Sequence, residues 1–256
     1  MSVPSPYWSD GDGRVSLYVG DMRAVLPALG VTADCILADP PYGETSLPWD
    51  RWPDGWLDVA AQVSHSMWCF GTLRMYLKRR DEFRAAKWKL SQDIIWEKHN
   101  GSGGSGIARD RFYRVHEQPA HWYRGDWGLL YHETPVTNDA TARSLTRRQQ
   151  PTHTGKIGPS AYVSEDGGPR LMRSVIYVRS MHHRAIHKTQ KPGGLLVPMI
   201  TYACPPGGLL IDPFAGSGSS LMAARMTGRR AIGIELHEPQ AEAAARWLSQ
   251  MVLEAS

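Results

Sequence analysis

Short apolar runs alternate with segments of helical period along both ends of the chain. Val15–Val19 (VSLYV) is a compact β-type run, and residues 21–29 then carry apolar positions at helical spacing. Residues 34–38 (DCILA) form a second apolar run that stops at Asp39-Pro40-Pro41-Tyr42, because two successive prolines cannot continue a central strand. Residues 43–55 are rich in Trp and Pro and read as a loop. The pattern then predicts a helix over 56–65, a strand over 67–70, a helix over 73–86 and a strand over 92–97. Residues 100–106 (NGSGGSG) have the composition of a flexible linker, and 109–184 show no sustained period. Alternation resumes with a helix over 194–202, a strand over 208–211, a helix over 217–227, a strand over 230–234 and an Ala-rich helix over 239–250. Such βα alternation predicts an α/β fold, a Rossmann-like parallel sheet with helices on both faces, interrupted by an insert.

Composition refines this picture in three ways. At 256 residues, 42% hydrophobic and 21% charged, the chain has ordinary globular composition and room for one large α/β domain with an insert. No apolar run approaches the ~20 residues of a membrane span, and the first ten residues lack the pattern of a secretory signal, so a cytoplasmic protein is expected. Cys35, Cys69 and Cys204 are far apart in apolar contexts, which suits buried thiols better than a disulfide or a metal site, and no metal is expected. His182, His183 and His187 lack a matching Cys or acid at ligand spacing.

Charge is uneven. Residues 97–188 hold 14 Lys and Arg against 8 Asp and Glu, whereas the remainder is slightly acidic, and eight of the ten histidines fall in that middle stretch. A near-neutral frame with a basic middle suits a catalytic scaffold carrying an anion-binding insert, although a solvated basic face would look the same.

Two turns carry candidate chemistry. The first, Asp212-Pro-Phe-Ala-Gly-Ser-Gly-Ser, follows a strand and opens a helix, and Gly216 and Gly218 allow a ligand to approach the backbone. The next strand ends in Glu235, placed to accept hydrogen bonds from ribose hydroxyls, so this half is expected to bind an adenosine-containing cofactor. Leu221 stands where a dinucleotide site would have its third glycine, and no Gly-Lys-Ser/Thr follows, which favours S-adenosylmethionine over a nicotinamide dinucleotide or a nucleoside triphosphate. The second turn, Asp39-Pro-Pro-Tyr42, lies at the C-terminal end of a central strand, where open α/β sheets place their chemistry. A carboxylate and a rigidly held carbonyl that accept the two hydrogens of a nucleobase amine would localise its lone pair, and Tyr42 could stack on an extruded base.

The two turns together, and their order, resemble the amino-methylating DNA methyltransferases, specifically the circularly permuted β group. Asp39–Tyr42 comes first, then the basic middle, then His187-Lys-Thr-Gln-Lys-Pro192, then Asp212 to Ser219, then Glu235. Lys188 departs from the family pattern, which usually has proline there. Gly20-Asp21 with Leu26 and Leu29 resembles the element near the cofactor adenine, and Trp96-Glu-Lys98 with His116-Glu117 resembles the family's central strands. The resemblance implies that Asp39 and the Pro40 carbonyl hold the target amine while Tyr42 stacks on the flipped base. It implies that Asp21, Asp212, Phe214, Gly216, Gly218 and Glu235 bind S-adenosylmethionine, with Thr189, Gln190 and Lys191 at its methionine end. The expected reaction is direct methyl transfer to the N6 amine of adenine in double-stranded DNA, with no covalent enzyme intermediate. N4-cytosine methylation is the alternative; cytosine enzymes more often carry Ser in place of the first Asp. An inactive DNA-binding module is the more distant reading, and a homodimer stays open.

The implied organisation is a catalytic half over 12–98, a target-recognition insert over 99–184 and a cofactor half over 185–252. Within the insert Arg143, Arg147, Arg148, Arg170, Arg173 and Arg184 are candidates for DNA contact. Trp49, Trp52 and Trp56 could form a second stacking wall, or could simply anchor the loop.

Overall fold

A computed structural model of the chain describes residues 3–99, 112–147, 160–180 and 190–254. It divides into a large unit, residues 1–133 with 174–256, and a small one, residues 134–173. The first half of the large unit contains β1 (Trp8–Ser9), β2 (Val15–Val19), α1 (Met22–Leu29), β3 (Cys35–Ala38), α2 (Trp56–Val63), β4 (Ser66–Cys69), α3 (Leu73–Ala85), β5 (Lys89–Asp93), β6 (Ile95–Glu97), β7 (His116–Glu117) and β8 (Ala120–Tyr123). The small unit holds β9 (Val136–Thr137), β10 (Arg143–Arg147), β11 (Ser160–Ser164) and β12 (Arg170–Leu171). The large unit then resumes with β13 (Val175–Tyr177), α4 (Gly193–Ala203), β14 (Leu209–Asp212), α5 (Ser219–Met226), β15 (Arg230–Glu235) and α6 (Glu238–Glu254).

The main sheet has eight strands in the order β1-β2-β15-β14-β3-β4-β8-β5. Its middle, from β2 to β4, is parallel throughout, while β1, β8 and β5 join antiparallel. Strands β3, β4 and β14 are buried at every position, which is why they read as continuous apolar runs rather than alternating ones. One face of the sheet, with Ile36, Ala38, Met67, Ile211 and Ile234, packs on Met22 and Leu26 of α1, Trp56 and Ala60 of α2 and Met75 and Phe83 of α3. The other face carries α4 to α6; Trp68 meets Tyr202 of α4 with ring centroids 5.7 Å apart. The Ala-rich α6 buries Ala241, Ala244, Ala245 and Leu248, small side chains that let the helix lie close against its neighbours. This is the Rossmann-like α/β architecture expected from the sequence.

The structure adds three details to the sequence pattern. The single strand expected over 92–97 is two strands in two sheets. The chain shifts register between Leu90 and Gln92, Ile94 N–H turns to the Pro119 carbonyl, and Ile95 N–H turns to Ser174, so β6 leaves the main sheet to pair with β13 and β7. The stretch without periodicity also supplies a main-sheet strand: β8 (AHWY) is held between β4 and β5, with Ala120, His121 and Trp122 buried. Where the sequence suggests one insert over 99–184, the compact separate unit is residues 134–173. Within it β9 pairs with β12 and β10 with β11, both antiparallel. No helix among the described residues is long and apolar enough to cross a membrane.

Candidate active site

Sheet order explains which distant residues meet. The parallel strands β2, β15, β14 and β3 are neighbours in that order, so the residues after their C-terminal ends form one row: Asp21, Glu235, the turn after Asp212, and Asp39. Ile211 is level with Ile36, which brings the two motif turns side by side. The sequence alone gives each turn its local chemistry; adjacency comes from the strand pairing.

Asp39 stands just beyond β3 with both carboxylate oxygens engaged. Tyr42 donates its hydroxyl to Oδ1 at 2.8 Å, and Lys191 donates from Nζ to Oδ2 at 2.6 Å. Tyr42 thus holds the carboxylate in this state. Burial, with the charges of Asp39 and Glu117 behind it, raises the Tyr42 pKa well above the usual phenol value, so the hydroxyl remains a donor. Burial opposes charge on Lys191 too, but Asp39 and Glu117 outweigh it and raise that pKa. The Lys191 ammonium also lies 3.4 Å from Glu117 Oε2 and 4.8 Å from the Phe70 ring centre, and Lys98 bonds Glu117 Oε1 at 2.9 Å. Burial pushes the Glu117 carboxyl up, but the two lysines more than compensate and leave it below the usual carboxylate range. Lys191, expected beside the methionine end of a cofactor, is thus in contact with Asp39.

The loop after Tyr42 is fixed by one side chain. Asp50, buried, accepts from the backbone N–H of Gly43, Glu44 and Thr45 at 2.7, 3.0 and 2.7 Å. Trp52 and Trp56 do not form a stacking wall with Trp49. Both are buried core anchors 5.6 Å apart edge to face, and the Trp52 indole donates to Glu82 at 2.7 Å, whereas Trp49 is exposed. Trp56 backs the other turn instead, its ring centre 5.3 Å from that of Phe214.

In the glycine turn, Gly216 has φ +50° and a Cβ there would meet only the Phe214 carbonyl at 3.8 Å, so the space above the turn is open. Gly218 is also left-handed (φ +75°) and starts α5, but a Cβ on it would lie 3.1 Å from Leu248 Cδ1; its constraint is helix packing. Glu235 fixes the turn: Oε2 accepts from Gly216 N–H at 2.9 Å and Oε1 from His237 N–H at 2.9 Å. Asp212 accepts from Phe214 N–H at 3.0 Å and from the Ser220 hydroxyl. Burial pushes its carboxyl up to about 7 against those two bonds, with the nearby charges of Asp39 and Glu235 adding to the rise.

That raised value predicts a pH dependence. The folded chain holds a proton on Asp212 that the unfolded chain releases near its ordinary value, so the stability tied to this group falls as pH rises from about 4 to about 7. Asp212→Asn removes the titration. Its stability relative to wild type is therefore expected to rise by up to about 1.4 kcal/mol per pH unit between pH 5 and 7 in the ligand-free protein. Denaturant melts of both proteins across that range check it.

The remaining candidates divide. Asp21 caps α1 and forms an exposed ion pair with Arg23 at 2.5 Å. Gln190 is buried, and Pro40 is buried beside Asp39. Arg143 is exposed on β10, and Arg147 ends that strand. Arg170 is committed to Asp139, with Nε to Oδ1 at 2.7 Å and a second bond to Oδ2, and Arg173 ends the small unit. Thr189, Arg148, Arg184, the three histidines 182, 183 and 187, and the glycine linker lie outside the described residues. All three cysteines are buried; burial raises each thiol pKa, that of Cys204 to about 12. Among the described residues no group of three or more His, Cys, Asp or Glu could hold a metal ion. Sequence spacing assigns no site role to Asp50, Lys98 or Glu117: Lys98 and Glu117 act on residues far away in the chain, and Asp50 folds back on backbone N–H groups of its own irregular loop.

The chain as a whole is also similar to known proteins. The chain is 24% identical over 260 residues to the type II methyltransferase M.ScaI of Streptomyces caespitosus, covering 93% of this chain and 81% of that one. An 85-residue stretch, 30% of this chain and 36% of the relative, is 40% identical to the putative methylase YubD of Escherichia coli K12. The fold matches the M1.HpyAVI complex with S-adenosylmethionine at a TM-score of 0.63 and 18% identity, covering 91% of this chain and 99% of that one. It matches the cytosine-N4-specific PvuII DNA methyltransferase equally well, at 0.63 and 13% identity over 96% and 89% of the two chains. Residues 33–246 fit the N6/N4 methyltransferase family model, described as DNA methylase, a span that runs from the strand before Asp39 to the last helix. The chain belongs to this DNA methylase family.

Proposed function

We propose that this chain methylates the N6 amine of adenine in double-stranded DNA, drawing on S-adenosylmethionine, the methyl donor of DNA methylases, and acting in the cytoplasm. The observation that carries the reading is the gathering of Asp39, Asp212 and Glu235 at the C-terminal edge of adjacent strands, under the open Gly216 turn. Asp39 and Glu235 lie close enough for their charges to act on Asp212, and three carboxyl groups gathered in this way form a site for a cation, not for a pyrophosphate. S-adenosylmethionine fits that donor set: it carries a sulfonium and an ammonium, and it has ribose hydroxyls for Glu235. When bound, it supplies an electrophilic methyl group.

The chain's own residues do the rest. Glu235 has lone pairs beyond the two used by Gly216 and His237, and these accept ribose hydroxyls. Phe214, held from behind by Trp56, forms an apolar wall. Asp39 and the Pro40 carbonyl accept the two amine hydrogens of an extruded base, which directs the nitrogen lone pair outward, and Tyr42 keeps the carboxylate in place. Arg143, exposed on β10, contacts the DNA. Adenine rather than cytosine is supported by Asp at position 39, where cytosine enzymes more often have Ser.

No cysteine takes part. Cys69→Ala, at the end of the strand beside Asp39, is expected to keep methyl transfer within a few-fold of wild type, read as initial rate with methyl-labelled cofactor. Loss of transfer in a folded Cys69→Ala protein would require a covalent route. The proposal as a whole is tested by incubating the protein with methyl-labelled S-adenosylmethionine and duplex DNA, RNA or protein. Label confined to DNA supports it; label in RNA or protein alone overturns it.

A further inference from the structure

Asp39 is occupied in this structure. The oxygen that a target amine would approach carries the Lys191 ammonium at 2.6 Å, and the other carries the Tyr42 hydroxyl. Lys191 is 11% exposed, so water offers little alternative. A second carboxylate is within reach of the same ammonium. Glu117 uses Oε1 for Lys98, but its buried Oε2 forms no hydrogen bond, although it lies only 3.4 Å from Lys191 Nζ. A buried carboxylate oxygen left without a donor is costly, and a small movement of a flexible lysine end would satisfy it.

Resting on the proposed methyl transfer, we infer that Glu117 is a positioning residue that takes the Lys191 ammonium from Asp39 when the target amine enters, so that Asp39 Oδ2 is released to accept an amine hydrogen. The charge count supports the exchange. Lys98, Glu117, Lys191 and Asp39 form a chain of two cations and two anions, so the Lys191 ammonium stays paired when it moves to Glu117, while Asp39, 24% exposed, keeps the Tyr42 hydroxyl and gains the amine as donors. Before the base arrives, the same lysine keeps Asp39 paired. After the exchange, the amine hydrogen replaces it as the donor to Oδ2, and Tyr42 continues to hold Oδ1. Glu117 never touches substrate and acts through Lys191 alone.

A double-mutant cycle on the full chain tests this. Single-turnover methyl transfer to duplex DNA and the dissociation constant for S-adenosylmethionine are measured for wild type, Glu117→Gln, Lys191→Met and the pair. Glu117→Gln is expected to slow transfer about tenfold, within the range seen for contacting residues, with cofactor affinity unchanged. In the Lys191→Met background the same substitution is expected to have no further effect. Glu117→Asp, which keeps the charge but draws it back, should fall between wild type and Glu117→Gln, and it serves if the glutamine variant fails to fold. Equal losses from Glu117→Gln in both backgrounds, or a wild-type rate in Glu117→Gln or Glu117→Asp, would overturn the exchange. An inactive wild type would instead overturn the proposed function, and the exchange with it.

Discussion

Asp39→Asn is expected to leave a folded, cofactor-binding protein whose methyl transfer to DNA is reduced by at least about 10²–10³-fold, the scale of removing one preorganised polar group at a reacting centre. The substitution is nearly isosteric. Asn keeps one acceptor oxygen for the Tyr42 hydroxyl, and Lys191 still has Glu117 3.4 Å away, so no buried charge is left alone. What disappears is an anionic acceptor facing the amine; an amide nitrogen there donates, and two donors oppose each other. The loss therefore appears in the rate of the chemical step, and the dissociation constant for S-adenosylmethionine stays within a few-fold of wild type. Equilibrium binding and single-turnover transfer, measured side by side, separate the two.

Glu235→Ala should show the opposite division, with its main effect on cofactor binding. Glu235 is buried and holds Gly216 and His237 through their backbone N–H groups; under the proposed function its remaining lone pairs accept the ribose hydroxyls. Two charge-assisted hydrogen bonds lost, each about 1.5–3 kcal/mol, weaken binding by about 10²–10⁴-fold. Loosening of the turn adds to this, since both N–H donors lose their acceptor. Titration calorimetry with S-adenosylmethionine reads the effect directly. Unchanged affinity in a folded Glu235→Ala protein would remove the carboxylate from the cofactor site.

The backbone course of each turn was legible in the sequence because it is local. A strand that stops at two prolines, and a strand–glycine–helix turn followed by a strand-terminal acid, carry their own geometry. The parallel sheet was legible for the same reason: β3, β4 and β14 are buried on both faces and read as apolar blocks. Non-local features were not. Nothing near Lys191 in the sequence indicates that its ammonium rests on Asp39 with Glu117 alongside. The tryptophans show how the same composition serves two ends: Trp52 and Trp56 lie within the core, and only burial separates them from exposed Trp49. Strand β8 was hidden because its AHWY sequence, set among polar and aromatic residues, has too short a run to show a period, although pairing on both edges makes it central. Arg170 reads in the sequence as a candidate for DNA contact, and its pairing with Asp139, 31 positions away, is not visible there.

The most direct measurement is nucleoside mass spectrometry of unmethylated duplex DNA incubated with S-adenosylmethionine and either wild type or Asp39→Asn. The account predicts N6-methyladenine with wild type and none above background with the variant. N4-methylcytosine would retain the site and contradict the adenine assignment. Equal N6-methyladenine from both proteins would contradict the role of Asp39, and no modified base with cofactor still bound would contradict the account of this chain as a DNA-methylating enzyme.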